Sequence, residues 1–226
     1  MTGRTVDPIA QLSTNLQPVA PLPIPTERLR WWGLVAGPAL IATIVAGVRR
    51  DWPTALTAWP VVGHTVVLAL VAGVGAWAAL RLAIPGESPP KTAVWPVVLV
   101  ALWLAWVGIE LGLSSSSSAA WSVGFGWRCI VRAMVGAAVP GTVLLMMVRR
   151  AMPLFPRAAA VALAASTAAM GELAAEWMCP NTWAMHLLAW HALPVILLVV
   201  AATVFASALV GEVAPCPRGR RAAGAS

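Results

Sequence analysis

The chain has 226 residues, 60% hydrophobic and only 10% charged, with a formal net charge of +7. Soluble domains run at about 45–50% apolar and about 25% charged residues. Fifteen basic and eight acidic side chains cannot coat a soluble surface of this size, which excludes an ordinary cytosolic enzyme and a disordered chain and leaves an integral membrane protein. Thirteen tryptophans and no tyrosine suit membrane interfaces. In so apolar a chain the basic excess reads as a topology signal rather than a nucleic-acid footprint. The three cysteines make one pair with one left over, not a disulfide framework.

Residues 1–30 hold no apolar run of the kind that opens a signal peptide and carry five prolines, so they form an aqueous segment ahead of the first span. Asp7-Pro8 is a helix-start signature. Ile9, Leu12, Leu16 and Val19 follow on one helical face. The spacing predicts a helix over 8–17, ended by Pro18, with Val19 as an extended continuation and residues 18–25 as a polyproline spacer. About ten residues are too few for a stable isolated helix, so the segment folds on a partner or stays a disordered tail. Its polar face lacks the Lys/Arg enrichment of a membrane-surface helix, which favours a protein partner.

Six apolar stretches follow, at 31–48, 61–80, 94–113, 130–148, 158–175 and 187–210. Each approaches the length needed to cross a bilayer, about 17–25 residues, and backbone groups in lipid must be satisfied internally, so each is read as a helix. The expected fold is an all-α bundle of six transmembrane helices over 31–211, with a cytoplasmic tail at 212–226. The N-terminal segment, the second and fourth loops and the tail hold eleven of the 15 basic residues, whereas the other side holds Arg49, Arg50, Arg128 and Arg132. That bias puts both termini in the cytoplasm. A Gly33-x-x-x-Gly37 spacing is a weak signal for close helix approach.

With this topology, Cys129, Cys179, His64, His186, His191, Glu110, Glu172, Glu176, Arg128 and Arg132 fall in the outer half, and Cys216 in the tail. Ionisable groups within spans are functional candidates. One reading is an outer-face sensor built on Cys129 and Cys179, which form a disulfide in an oxidising compartment, with Arg128 lowering a thiol pKa. A second is capture of a transient soft metal ion by Cys129, Cys179 and His186, with Glu176 in support. A third is a static structural disulfide or two small buried residues. His186 and His191 are five apart, about 140° around an α-helix, so one ligates while the other packs. Arg132 and Glu172 are expected to neutralise each other. No Gly-x-Ser-x-Gly elbow, His-Glu-x-x-His or phosphate loop occurs, so no catalytic residue, enzyme activity or resident cofactor is assigned. A rival from another class is a small transporter or a membrane redox protein that ligates haem or metal through the two histidines.

The pattern resembles the NrsF-type anti-sigma factors, six-span inner-membrane proteins of bacteria. The resemblance rests on Leu16-Gln17-Pro18-Val19, Arg81-Leu82-Ala83-Ile84-Pro85-Gly86, Trp127-Arg128-Cys129, Arg149-Arg150, and above all Cys179-Pro180-Asn181 followed by His186 and Trp190-His191. It covers nearly the whole chain, although the five-serine run 114–118 and Cys216 lie outside the pattern. It implies a regulator that holds an extracytoplasmic-function sigma factor at the membrane, without direct nucleic-acid contact, and releases it on an external oxidative or heavy-metal stress. The residues matching Cys129 and Cys179 are the implied sensors, and the Ile9, Leu12, Leu16 and Val19 face is the implied sigma contact.

Overall fold

Proline decides where most of the helices begin. It lacks the N–H that a first helical turn leaves unpaired anyway, and its fixed φ suits that position. The computed structural model describes residues 21–84, 89–114, 123–124 and 126–211, with helices joined by short turns and no strand among these residues. Proline opens α1 (Pro25–Val45), the short α2 (Trp52–Ala55), α3 (Trp59–Leu82), α4 (Pro89–Ser114) and α6 (Pro156–Met178). Between the last two, α5 (Trp127–Ala151) ends on Arg149 and Arg150, cations suited to a helix C-terminus, and on Met152 in the left-handed region at φ 51°. The last long element runs through α7 (Ala184–Leu187), a π-turn (Leu188–Ala192), α8 (Leu193–Val204) and α9 (Ala206–Val210).

Five helices are long and apolar enough to cross a bilayer: Trp59–Leu82, Lys91–Leu113, Trp127–Ala151, Pro156–Met178 and Ala184–Val204. The expectation was six. The helix over the first predicted stretch spends its opening turn on Glu27, Arg28 and Arg30 and stops at Val45, so it is not among the five. The helix predicted over 8–17, its Ile9, Leu12, Leu16 and Val19 face, the first residues of the proline spacer, Ser115–Ser118 and Cys216 lie outside the described residues.

The bundle is built around α6. Its sequence is dominated by alanine, and 83% of its apolar window is buried. Small side chains let neighbouring backbones approach closely, which is how helices associate when their outer surfaces are apolar. A Cβ placed on Gly171 would sit 2.5 Å from the Ala133 carbonyl oxygen of α5. On the opposite flank Ser166 Oγ donates to the Ala72 carbonyl of α3 at 2.8 Å, so a buried hydroxyl is satisfied by a neighbouring backbone. By contrast Gly33 and Gly37 face open space; the small-residue contact lies on α6, not at the α1 motif.

Large apolar side chains point outward, among them Leu34, Ile41, Leu102, Ile109, Leu197 and Val204. The interior holds many alanines and some large apolar side chains such as Leu80 and Leu144, and among them lie the buried polar groups Arg28, His64, Glu172, His186 and His191. The apolar outer surface is what sets the bundle apart from a soluble domain. α1 is tied to α5 at two levels: Arg28 donates to the Met147 carbonyl towards one end of the bundle, and Trp32 Nε1 donates to the Pro140 carbonyl near the middle of α5 at 3.0 Å.

Because Gly171 meets a backbone atom that cannot rotate away, G171A is expected to destabilise the purified protein by about 1–3 kcal/mol, the usual cost of overpacking. G33A, with nothing within 4 Å, should leave the melting temperature unchanged. Thermal unfolding in detergent followed by circular dichroism checks the pair, and equal melting temperatures for the two variants would contradict the central role of α6.

Candidate functional site

Cys129 sits in the first turn of α5 and Cys179 caps the C-terminus of α6. Their elements pack side by side, so the two sulfurs meet at the same end of the bundle. The Cys129 thiol donates to Cys179 Sγ at 3.2 Å, and both are free and buried. His186 Nε2 lies 3.4 Å from Cys179 Sγ and 3.6 Å from Cys129 Sγ. One ring nitrogen of His191 completes a group of four donor atoms that all lie within 4.8 Å of one another.

The two histidines meet for a reason that a regular α-helix does not provide. Their rings stand 5.6 Å apart, although a five-residue spacing separates side chains by about 140° in an α-helix. The π-turn Leu188–Ala192 lies between them and inserts one extra residue into the turn. Pro194 just beyond it has no N–H to offer the Trp190 carbonyl four residues back, and its ring crowds that carbonyl, which favours the wider turn. The expectation that only one histidine faces the cysteines is corrected by this turn.

Each imidazole is held from behind. His186 Nδ1 donates to the Val123 carbonyl at 3.0 Å. Gly124 makes this carbonyl available by adopting φ 58°, a left-handed conformation that costs glycine little, and Trp190 Nε1 donates to both Val123 O and Gly124 O at 3.2 Å. His191 Nδ1 donates to Glu172 Oε2 at 2.8 Å, with both side chains 3% exposed. Glu172 is therefore the partner of His191. Arg132, the predicted partner of Glu172, instead donates to the Met178 carbonyl at the end of α6, steadying the backbone next to Cys179.

Arg128 does not serve the thiols. It is exposed and lies over the Trp127 ring, 6.0 Å from its centroid. Glu176 stands outside the sulfur–imidazole group, with Oε1 3.7 Å from His64 Nδ1. His64 also lies 3.5 Å from Glu110 Oε1 and meets the Trp106 ring edge-on at 5.4 Å. Glu176, His64 and Glu110 line a cavity of about 680 Å³ that also reaches Arg49, Asp51, Cys179 and His191. Arg49 forms two 2.7 Å hydrogen bonds with the Asp51 carboxylate, which hold the Asp51 carboxyl below its usual range, and Arg49 reaches the Pro180 carbonyl beside Cys179.

Sequence reasoning placed these residues at one end of the bundle but missed the roles of Glu172 and Val123. A signal for the former was present: Glu172, Glu176 and Cys179 are spaced four and three, the repeat of one helical face. A backbone carbonyl such as that of Val123 leaves no trace in residue types.

The sulfur pair permits two kinds of chemistry. An external oxidant that takes two electrons, with the Cys129 proton lost to water, joins the sulfurs in a disulfide and requires them to close from 3.2 Å to about 2.05 Å. Alternatively the sulfurs and imidazoles ligate a soft cation. Cys179 lies in the loop beyond α6, and the hydrogen bond it accepts from Cys129 holds its thiol well below the ordinary range, against the opposing effect of burial. A depressed pKa keeps the thiolate present as pH falls below about 8.5, the usual thiol value. Iodoacetamide labelling of Cys179 should therefore persist into mildly acidic buffer. C129A removes the donor, raises the pKa and should shift the labelling profile to higher pH. Mass spectrometry across a pH series reads both, and coincident profiles would contradict the assigned hydrogen bond.

Neither a curated protein nor a solved structure matches this chain. A protein family does match it, over residues 12–210, a span that contains both cysteines, both histidines and Glu172; that family is NrsF, described as negative regulator of sigma F, and the chain belongs to it.

Proposed function

We propose that this protein is a membrane-bound anti-sigma factor that holds an extracytoplasmic-function sigma factor and releases it when an external oxidative or heavy-metal stress reaches Cys129 and Cys179. The observation that carries the reading is the extent of the family match. It runs from Leu12, within the N-terminal apolar face, through the whole cysteine–histidine group. In this reading α1 is a sixth crossing, residues 1–30 and the tail are cytoplasmic, and the bundle sits in the bacterial inner membrane. The alternation of helices agrees with it: Arg28 beside Met147, Arg149 beside Leu209 and Arg81 in the last turn of α3 all lie towards the helix ends opposite the cysteines. The outward Leu, Ile and Val side chains suit lipid contact.

The sigma contact is assigned to Ile9, Leu12, Leu16 and Val19, and the protein acts by binding without a catalytic step. A path for the signal is available along α5 and across its hydrogen bonds to α1. α5 carries Cys129 in its first turn and receives Arg28 and Trp32 of α1 further along, and α1 follows directly on the N-terminal segment. Release requires the signal to favour the sigma-free form, and a full switch needs about 5.5 kcal/mol of differential affinity.

Two leucines buried in a sigma groove contribute about 1.5–3 kcal/mol each. L12D/L16D in the full chain should therefore cut recovery of the sigma factor in co-purification by more than about tenfold, whereas unchanged recovery would overturn the contact. C129S and C179S should leave recovery intact under unstressed conditions and abolish sigma-dependent transcription in response to oxidant or metal. An undiminished response in both variants would remove the cysteines from the mechanism. A haem absorbance band in the purified protein, with no captured sigma factor, would favour a membrane redox protein instead.

A further inference from the structure

We infer that Cys129, Cys179, His186 and His191 form a closed, four-coordinate site for a thiophilic divalent cation such as zinc, with Glu172 and the Val123 carbonyl as the groups that orient its imidazoles. The inference deepens the sensor reading above and rests on it for the site's regulatory role.

Four donors come from α5, the end of α6 and the last long element, and all four residues are buried. Two sulfurs and two nitrogens form a soft set of the kind that takes zinc in tetrahedral geometry. With metal–sulfur distances of about 2.3 Å and metal–nitrogen distances of about 2.05 Å, a tetrahedron sets its sulfur–nitrogen edges at about 3.6 Å and its sulfur–sulfur edge at about 3.8 Å. The His186 Nε2 edges measure 3.4 and 3.6 Å. The sulfur edge measures 3.2 Å, so an ion parts the two thiols by roughly half an ångström, and the His191 nitrogen, up to 4.8 Å from the other donors, closes by about 1 Å to complete the tetrahedron.

The imidazoles provide an independent observation. A histidine that ligates through one nitrogen ordinarily donates its other N–H to a carboxylate or a backbone carbonyl, which fixes both tautomer and ring orientation. His191 does so to Glu172 and His186 to Val123. Both Nδ1 atoms are thus committed as donors, leaving each Nε2 with its lone pair. His191 is 2% exposed and its Nε2 has no hydrogen-bond partner, an unusual state for a buried polar atom that a bound cation relieves. On binding, the Cys129 S–H bond breaks and its proton leaves to water, Cys179 binds as the thiolate that accepted that hydrogen bond, and two metal–sulfur bonds form. Two thiolates neutralise a divalent ion, so the occupied site is uncharged in its buried setting. The cavity that reaches Cys179 and His191 is flanked by Asp51, Glu110 and Glu176, which favour a cation along the way in.

The test uses the full-length protein purified in detergent together with its co-expressed sigma factor, loaded with zinc for stoichiometry and with cobalt as a spectroscopic probe. The expected result is one zinc per chain by mass spectrometry, with sulfur-to-cobalt charge transfer and the visible bands of tetrahedral cobalt. E172Q should weaken zinc affinity by about 10–100-fold while keeping the tetrahedral spectrum. C129S should lose the sulfur band in proportion. H64A, in the cavity but outside the ligand set, should keep one zinc. An octahedral cobalt spectrum without sulfur charge transfer in the unaltered chain, or an E172Q affinity equal to it, overturns the site. Should the variants fail to fold, the spectrum of the unaltered chain decides alone. Sigma capture is scored on the same samples: capture without tetrahedral metal defeats this inference and spares the anti-sigma reading, and tetrahedral metal without capture does the reverse.

Discussion

Everything in this bundle depends on how closely other helices approach α6. A helix rich in alanine and interrupted by Gly171 and Ser166 has almost no side-chain volume of its own, so its neighbours pack against its backbone. Between apolar outer surfaces there is little hydrophobic drive for helices to associate, and close van der Waals packing with interhelical hydrogen bonds must supply the cohesion. α3 and α5 take opposite sides of α6, and the last long element lies along it as well. That arrangement brings the first turn of α5, the last turn of α6 and the start of the final element to one place. The cysteines and histidines occupy those three positions.

The site shows why buried polar groups in such a protein are few but closely supported. Glu172 and His191 are both 3% exposed and satisfy each other at 2.8 Å. A buried charge without such a partner is costly. His186 is 1% exposed and is held by a backbone carbonyl presented by a glycine in a left-handed conformation. Arg132 and Arg49 steady carbonyls on either side of Cys179. Rigid support of this kind keeps donor atoms oriented before anything binds, and preorganisation reduces the ordering cost of binding.

Much of this was legible in residue types. Hydropathy located the long helices, because an apolar run long enough to span lipid is seldom anything but a helix. The helices extend the predicted stretches by a few residues, mostly to a proline at the start. The basic bias and the alternation of spans sorted Cys129, Cys179, His186 and His191 to one end. Three features were not legible. α1 begins at Pro25 and so takes in Glu27, Arg28 and Arg30, charges that lie ahead of the apolar stretch read from Trp31. The Gly33-x-x-x-Gly37 spacing meets nothing, because which helix lies at the centre is a matter of packing; α6, the least apolar of the five long helices, is central because its residues are small. The π-turn escaped a reading based on 3.6 residues per turn, although Pro194 marks it.

The contacts of α5 set how that helix can respond. It has 25 residues, about 38 Å at 1.5 Å per residue, with Cys129 near one end. Pro140 lies close to its middle and removes one rung of the hydrogen-bond ladder, and the Pro140 carbonyl is where the Trp32 indole of α1 is bound. A lever joined to its neighbour at its weakest point has a fulcrum there. Small displacements of the Cys129 end need not shift the whole helix along its axis; pivoting about Pro140 turns them into an opposite swing of the Met147 end, where Arg28 of α1 is attached.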